Sequence, residues 1–272
     1  MTILSASPQV LAAYEPLAAH YDLLTAGYDH RRWVRALDRI ARQHGLAGYR
    51  ALDLACGTGR ALGPLLELGY DVAGCDLSPA MLAVARERHP GVDLHAADMR
   101  ELPELGPFDL VLCLDDAVNY LLDEQDLRAA LRSVRSVLAD GGLLIFDVNT
   151  RLAYETAFAR DRVVSDDDTV LAWRGHGLDD ATGLARATVE IFAAGSEPGC
   201  WSRERSLHVQ RHWSDDELTE AADAAGLRVL TRVGQRTGVV LDAEPDPARH
   251  SKVVLVLRAE SWPAVDAKGG AA

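Results

Sequence analysis

The stretch Ala51-Leu52-Asp53-Leu54-Ala55-Cys56-Gly57-Thr58-Gly59-Arg60 constrains this chain more than any other. A buried apolar strand runs into a glycine-rich turn and then into helical sequence. Such a turn lets backbone approach a ligand closely, because glycine has no Cβ and tolerates positive φ. The next apolar run, residues 70–75, ends in Asp76, 19 positions after Gly57. An α/β nucleotide fold needs a carboxylate near that point to accept hydrogen bonds from ribose hydroxyls.

Short apolar runs alternate with helical periodicity from residue 49 to 148, the pattern of a doubly wound parallel α/β sheet. Strands are expected at about 50–55, 70–75, 92–96, 108–114 and 142–148, and helices at about 58–68, 79–88 and 123–139. Gly141-Gly142 is expected to stop the last of these helices. Residues 163–213 then carry strand-like runs separated by turn-rich pieces such as Asp179–Gly183 and Gly195–Gly199. They predict an antiparallel β sheet, a lid, inserted after the fifth core strand. Helical pattern returns at Asp215–Ala225, with Ser214 as N-cap and Gly226 as stop, and two strands close the chain. The expected organisation is 1–150 for N-terminal helices and ligand-binding core and 151–213 for the inserted lid. Residues 214–260 complete the core, and 261–272 form a loose tail.

Two ligand classes compete for the glycine turn. Gly57, Gly59 and Gly63 form a variant of the dinucleotide fingerprint, which points to a nicotinamide-dependent dehydrogenase. Asp53 speaks against that choice. A pyrophosphate prefers a helix N-terminus free of nearby carboxylates, whereas a carboxylate inside the strand suits a ligand with a cationic group.

The segment Asp53–Gly59 resembles the first motif of class I S-adenosylmethionine-dependent methyltransferases, with Ala55 where many members have glycine. Asp76-Leu77-Ser78-Pro79-Ala80-Met81-Leu82 resembles the second motif, with Ser78 as N-cap and Pro79 as first helical residue. Leu94–Arg100 is similar to the third, and Phe108–Asp116 to the fourth strand with its loop. The resemblance covers roughly residues 14 to 150. It implies a Rossmann-like methyltransferase core with S-adenosylmethionine as cofactor. Under it, Asp76 takes the ribose, Leu77 after it binds the cofactor, Met81 offers an apolar edge to the adenine, Asp98 accepts from the adenine amino group, and Met99 packs on the ring. Backbone at Leu114 meets the cofactor amine. The leader around Tyr21 and Trp33 resembles that of glycine N-methyltransferase and the amino-sugar N-methyltransferases. There, such a pair reaches the cofactor carboxylate.

The net charge is −13 and no basic run appears, which argues against nucleic acid or an anionic membrane as partner. No apolar run approaches the roughly 20 residues of a membrane span, and no signal peptide is evident. The four cysteines lack C-x-x-C spacing and the nine histidines lack ligand spacing, so no metal site is expected. A cytoplasmic protein, monomer or homodimer, is the expectation.

Methyl transfer asks the protein to exclude water, align the nucleophile and, where needed, take a proton. Candidates for this work come from three segments. Tyrosines at 14, 21 and 28 share one face if the N-terminal segment is a single helix, and Tyr14 is a candidate to meet the substrate. In the loop after the fourth strand, Asp116 is a candidate base or amine holder, and Asn119 and Tyr120 are candidates to face substrate. Within 203–213, period-two alternation places Glu204, Ser206, His208, Gln210 and His212 on one strand face. His208 is the candidate proton acceptor and His212 a substrate contact. Trp173 and Trp201 are candidates for an aromatic wall. The resulting expectation is methyl transfer to a small polar acceptor in secondary metabolism, with N-methylation favoured over O-methylation. A cofactor-binding protein that transfers no methyl group is the alternative.

Overall fold

A computed structural model describes residues 6–197, 199–236 and 238–260. The expected tail beyond residue 260 lies outside them. The N-terminal segment is broken rather than continuous. It forms α1 (Ala6–Tyr14), a 3-10 turn (Ala18–His20), α2 (Tyr21–Leu24) and α3 (His30–Gln43). Asp29 caps α3 by accepting from the Arg32 N–H at 3.0 Å. His30, Trp33, Val34, Leu37 and Ala41 recur at helical spacing and form its buried face.

The core then alternates as the apolar pattern predicts: β1 (Arg50–Leu54), α4 (Leu62–Glu67), β2 (Asp71–Asp76), α5 (Pro79–Arg88), β3 (Asp93–Ala96), β4 (Phe108–Cys113), α6 (Glu124–Val137) and β5 (Leu138–Asn149). Two boundaries differ from expectation. The first helix starts at Leu62 rather than 58, because Gly57 and Gly59 take φ values of +52° and +79° that no helix accommodates. The last helix ends at Val137, before the glycines. Gly141, at φ +77°, falls inside β5, where the pairing with β4 shifts register between Phe108 and Leu110.

Next come α7 (Arg151–Glu155) and a separate antiparallel sheet of β6 (Arg162–Ser165), β7 (Thr169–Asp179), β8 (Leu184–Ala194) and β9 (Trp201–Arg211). The chain returns through α8 (Asp215–Ala224), β10 (Leu227–Gln235), β11 (Leu241–Asp242) and β12 (Lys252–Ala259). The main sheet runs β11-β10-β12-β5-β4-β1-β2-β3, parallel from β5 to β3, with β12 and β10 antiparallel. The fold is therefore a Rossmann-like α/β sheet with an additional antiparallel sheet. Strand order reverses beside β1, where β4 lies on one side and β2 on the other, and ligands of open α/β sheets bind at such a point.

Each face of the main sheet carries its own apolar cluster. One joins Leu52, Phe146 and Leu255 to α6 and α8, and the other joins Ala51, Leu112 and Ile145 to α3 and α4. A third cluster lies under the inserted sheet, where Leu171, Ala187 and Val189 meet Leu17 of the N-terminal segment. No helix of the described residues is long and apolar enough to cross a membrane.

Ser214 starts α8 with a capping box: its Oγ accepts from the Glu217 N–H, and the Glu217 carboxylate accepts from the Ser214 N–H. Ser214→Ala is expected to cost about 1 kcal/mol of stability, read as a lower urea midpoint with unchanged slope.

Candidate cofactor and acceptor site

A large cleft opens at the carboxyl ends of the parallel strands, with about 1030 Å³ of empty space including its open mouth. Its floor is the turn after β1. Gly57 takes positive φ and donates its N–H to Asp76 Oδ2 at 2.8 Å. Ser78 donates its N–H to Asp76 Oδ1, also at 2.8 Å. Asp76 thus fixes the turn while each oxygen keeps acceptor capacity for a hydroxyl. Gly59 stands behind the floor, not on the cleft, where a Cβ would press on Leu62, Ala85 and His89 at 3.1–3.2 Å.

Asp53 is 3 % exposed and lines the cleft, and its Oδ2 has no hydrogen-bond partner. Burial raises its pKa well above the ordinary carboxylate range, and the nearby charges of Asp115 and Asp76 add to this. Asp76 is also raised, by burial, against the N–H donors that bind it. Carboxylates crowded in a cleft with an orphaned buried oxygen call for a cationic ligand. A pyrophosphate is repelled there, and a sulfonium with an ammonium fits.

Leu77 and Met81 form one wall, and Ala97, Asp98 and Met99 form the next. Asp98 is held by Arg100, whose Nη2 lies 2.7 Å from Oδ2, and Arg100 also bonds Asp126 at 2.8 Å. Ala55, at φ +59°, and Leu114 line the cleft at the ends of β1 and β4. Ala55 occupies a left-handed position that glycine would take without strain.

The roof comes from the N-terminal segment. Tyr14 and Tyr21 line the cleft with their rings 6.0 Å apart, although no single helix joins them. The roof is tied to the floor from several sides. Ser78 Oγ donates to Glu15 at 2.6 Å, and Thr58 Oγ1 donates to Asp22 at 2.7 Å. Arg88 also pairs with Asp22. Arg60 Nη2 donates to the Tyr28 carbonyl at 3.0 Å. Tyr28 itself turns away, edge-on to Trp33, and its hydroxyl accepts from Gln235 at 3.0 Å.

Tyr120 joins Tyr14 on the cleft, with ring centroids 5.3 Å apart. Its hydroxyl lies 2.8 Å from His208 Nδ1, and Ser206 Oγ lies 3.1 Å from the other ring nitrogen. Burial raises the phenols of Tyr14, Tyr21 and Tyr120, so all three stay protonated at neutral pH.

Several expected site residues lie elsewhere. Trp33 is fully buried in the apolar core, off the cleft, with its Nε1 unpartnered. His208 is 2 % exposed and stands behind Tyr120, and burial lowers its pKa to about 4. A buried imidazole that resists protonation to this degree is a poor proton acceptor. Asp116 does not line the cleft: Lys252 Nζ at 2.7 Å and Gln210 Nε2 at 2.5 Å occupy its carboxylate. Asn119 is a buried brace, donating to the Arg211 carbonyl at 2.8 Å and accepting from the Asn149 N–H at 3.0 Å. Trp173 packs on Phe158 and His208 and donates to the Phe158 carbonyl. His212 sits beside Tyr154, away from the cleft. Trp201 is half exposed at the opposite end of β9 from His208, so it walls nothing at this site.

The cleft also gathers residues not singled out from the sequence: His30, Thr58, Arg60 and Asp115. Thr58 and Arg60 were within reach, being part of the glycine turn. His30, whose Nε2 lies 2.8 Å from Asp115 Oδ2, had no local signal. No cluster of three or more His, Cys, Asp or Glu among the described residues could hold a metal.

Fold and cleft together define a nucleotide-type site built for a cationic ligand. A family model described as "Methyltransferase domain" matches residues 51–142. The dTDP-3-amino-3,6-dideoxy-α-D-glucopyranose N,N-dimethyltransferase of Streptomyces fradiae is 31% identical over 241 residues, covering 86% of this chain and 92% of that protein. Among solved structures, a S-adenosylmethionine-dependent methyltransferase from Clostridium acetobutylicum has a TM-score of 0.74 at 24% identity, covering 91% of this chain and 99% of that one. DesVI of Streptomyces venezuelae has a TM-score of 0.70 at 27% identity, covering 88% and 97%. The chain belongs to the class I S-adenosylmethionine-dependent methyltransferases, and S-adenosylmethionine is its cofactor.

Proposed function

We propose that this enzyme N-methylates the amino group of a small polar acceptor of the amino-sugar type. The observation that carries this is the likeness over most of the chain to enzymes named as N,N-dimethyltransferases of dTDP-amino sugars, at 31% and 30% identity. The cleft chemistry supports it. S-adenosylmethionine supplies an activated methyl group and a good leaving group. Asp76 takes the ribose hydroxyls, and Leu77, Met81, Asp98 and Met99 hold the adenine. Asp53 takes the ammonium, and Tyr21 closes the methionine end together with Arg60. Tyr14 and Tyr120, protonated and on the cleft, orient the acceptor by hydrogen bonding and exclude water. An amine that arrives deprotonated brings its own lone pair and needs no strong base, which suits a site where His208, behind Tyr120, stays neutral.

The test is a product screen by mass spectrometry, with the purified chain, S-adenosylmethionine, and matched panels of amino sugars, their nucleotide conjugates, and hydroxyl and carboxyl acceptors. Methylated product from the amine panel alone is the expected result. Transfer confined to hydroxyl or carboxyl acceptors overturns the N-methylation assignment.

A further inference from the structure

Two adjacent residues after β4, Asp115 and Asp116, both hold left-handed backbone, with φ of +58° and +56°. Each such non-glycine residue costs roughly 1–2 kcal/mol, so the pair persists only if the surroundings fix it. The fixing group is Asp147 of β5, a fully buried carboxylate. Its Oδ1 accepts from the Asp115 N–H at 2.8 Å and its Oδ2 from the Asp116 N–H at 3.0 Å. Lys252 of β12 then closes the arrangement. Its Nζ lies 2.6 Å from Asp147 Oδ2 and 2.7 Å from Asp116 Oδ1. Gln210 binds the other Asp116 oxygen. The two aspartates therefore divide: Asp116 faces the β12 lysine, and Asp115 faces the cleft, 27 % exposed and paired with His30.

The place of Asp115 in the sheet says which part of the ligand it meets. Asp76 ends β2 and Asp98 follows β3, on one side of β1, and under the proposed assignment they take the adenosine half of the cofactor. Asp115 follows β4 on the other side, and its charge is the largest carboxylate influence on the orphaned Asp53. Asp53 and Asp115 thus flank the amino-acid half.

We propose that Lys252 is a positioning residue for cofactor binding: through Asp147 and Asp116 it holds the left-handed turn that presents Asp115 to the ammonium end of S-adenosylmethionine. Without Lys252, Asp147 is a buried carboxylate with no countercharge, and the turn loses its anchor.

The test compares two ligands by calorimetric titration of the whole chain. S-adenosylhomocysteine carries the amino-acid group, while 5′-methylthioadenosine keeps the adenosine and thioether without it. Lys252→Met is expected to weaken S-adenosylhomocysteine about tenfold or more and to leave methylthioadenosine within about twofold. Asp115→Asn, which keeps the turn and removes the charge, is expected to reproduce that selective loss. The double variant should be no worse than the weaker-binding single variant, as for two members of one device. Equal weakening of both ligands in Lys252→Met overturns the proposal, because it marks a general structural role. Unchanged S-adenosylhomocysteine affinity in Asp115→Asn also overturns it, and that variant decides the matter alone if Lys252→Met does not fold.

Discussion

Asp76→Ala is expected to lower S-adenosylhomocysteine affinity by about a hundredfold or more, the largest loss for any single substitution in the cleft. Two causes add. The ribose hydroxyls lose an ionised acceptor, and charge-assisted hydrogen bonds are worth roughly 1.5–3 kcal/mol each. The Gly57 and Ser78 N–H groups lose the carboxylate that fixes the floor beneath the ligand. Calorimetry on the folded variant measures the effect, with His208→Ala as the control that stays within about threefold, since His208 lies off the cleft. Equal affinity in Asp76→Ala and the parent removes Asp76 from the ribose.

The second large effect is an acid lability that His208→Gln removes. In the folded protein the His208 pKa falls from 6.5 to about 4, through burial. Below pH 6.5 the unfolded chain takes up a proton that the folded chain refuses, so its contribution to stability is full above pH 6.5 and is lost as pH falls towards 4. Between pH 7.5 and 5 this one group lowers stability by roughly 2 kcal/mol. Urea denaturation at the two pH values should show that drop in the parent, and His208→Gln should reduce it by the same amount. An identical drop in both proteins rules out a buried neutral imidazole. The same geometry sets the kinetic expectation. His208→Gln keeps a partner for the Tyr120 hydroxyl, so turnover stays within a few-fold. The pH–rate profile owes no inflection near pH 6.5 to this residue.

The parallel half of the molecule was legible because its signals are short in range. A buried strand, a glycine turn and a carboxylate at the next strand end follow one another within Asp53–Asp76, and each is dictated by local backbone and burial. Met81, Asp98, Met99 and Leu114 were named through the resemblance to the methyltransferase motifs, and all four line the cleft. The inserted sheet was equally readable as alternating strands, and Ser214 as a helix cap.

What failed were choices between near-identical neighbours. Asp115 and Asp116 are adjacent carboxylates, and no local pattern says which one faces ligand. Asp147, 31 and 32 residues away, and Lys252, 136 residues from Asp116, make that choice. Glu204 and His208 share one face of β9, yet His208 is sealed behind Tyr120 and Glu204 is exposed, because only part of that face is covered by the N-terminal helix and the Ala117–Tyr120 turn. Alternation assigns a face, and burial depends on what packs against it. Tyr14 and Tyr21 reached the cleft across a broken helix through ties such as Glu15 to Ser78 and Asp22 to Thr58. The sequence by itself determined the sheet and the glycine floor, whose signals are local, and the resemblance of its motifs pointed to the cofactor. The tertiary structure alone decided which aspartate, which aromatic rings and which lysine serve the cleft, because those roles are set by contacts between segments far apart in the chain.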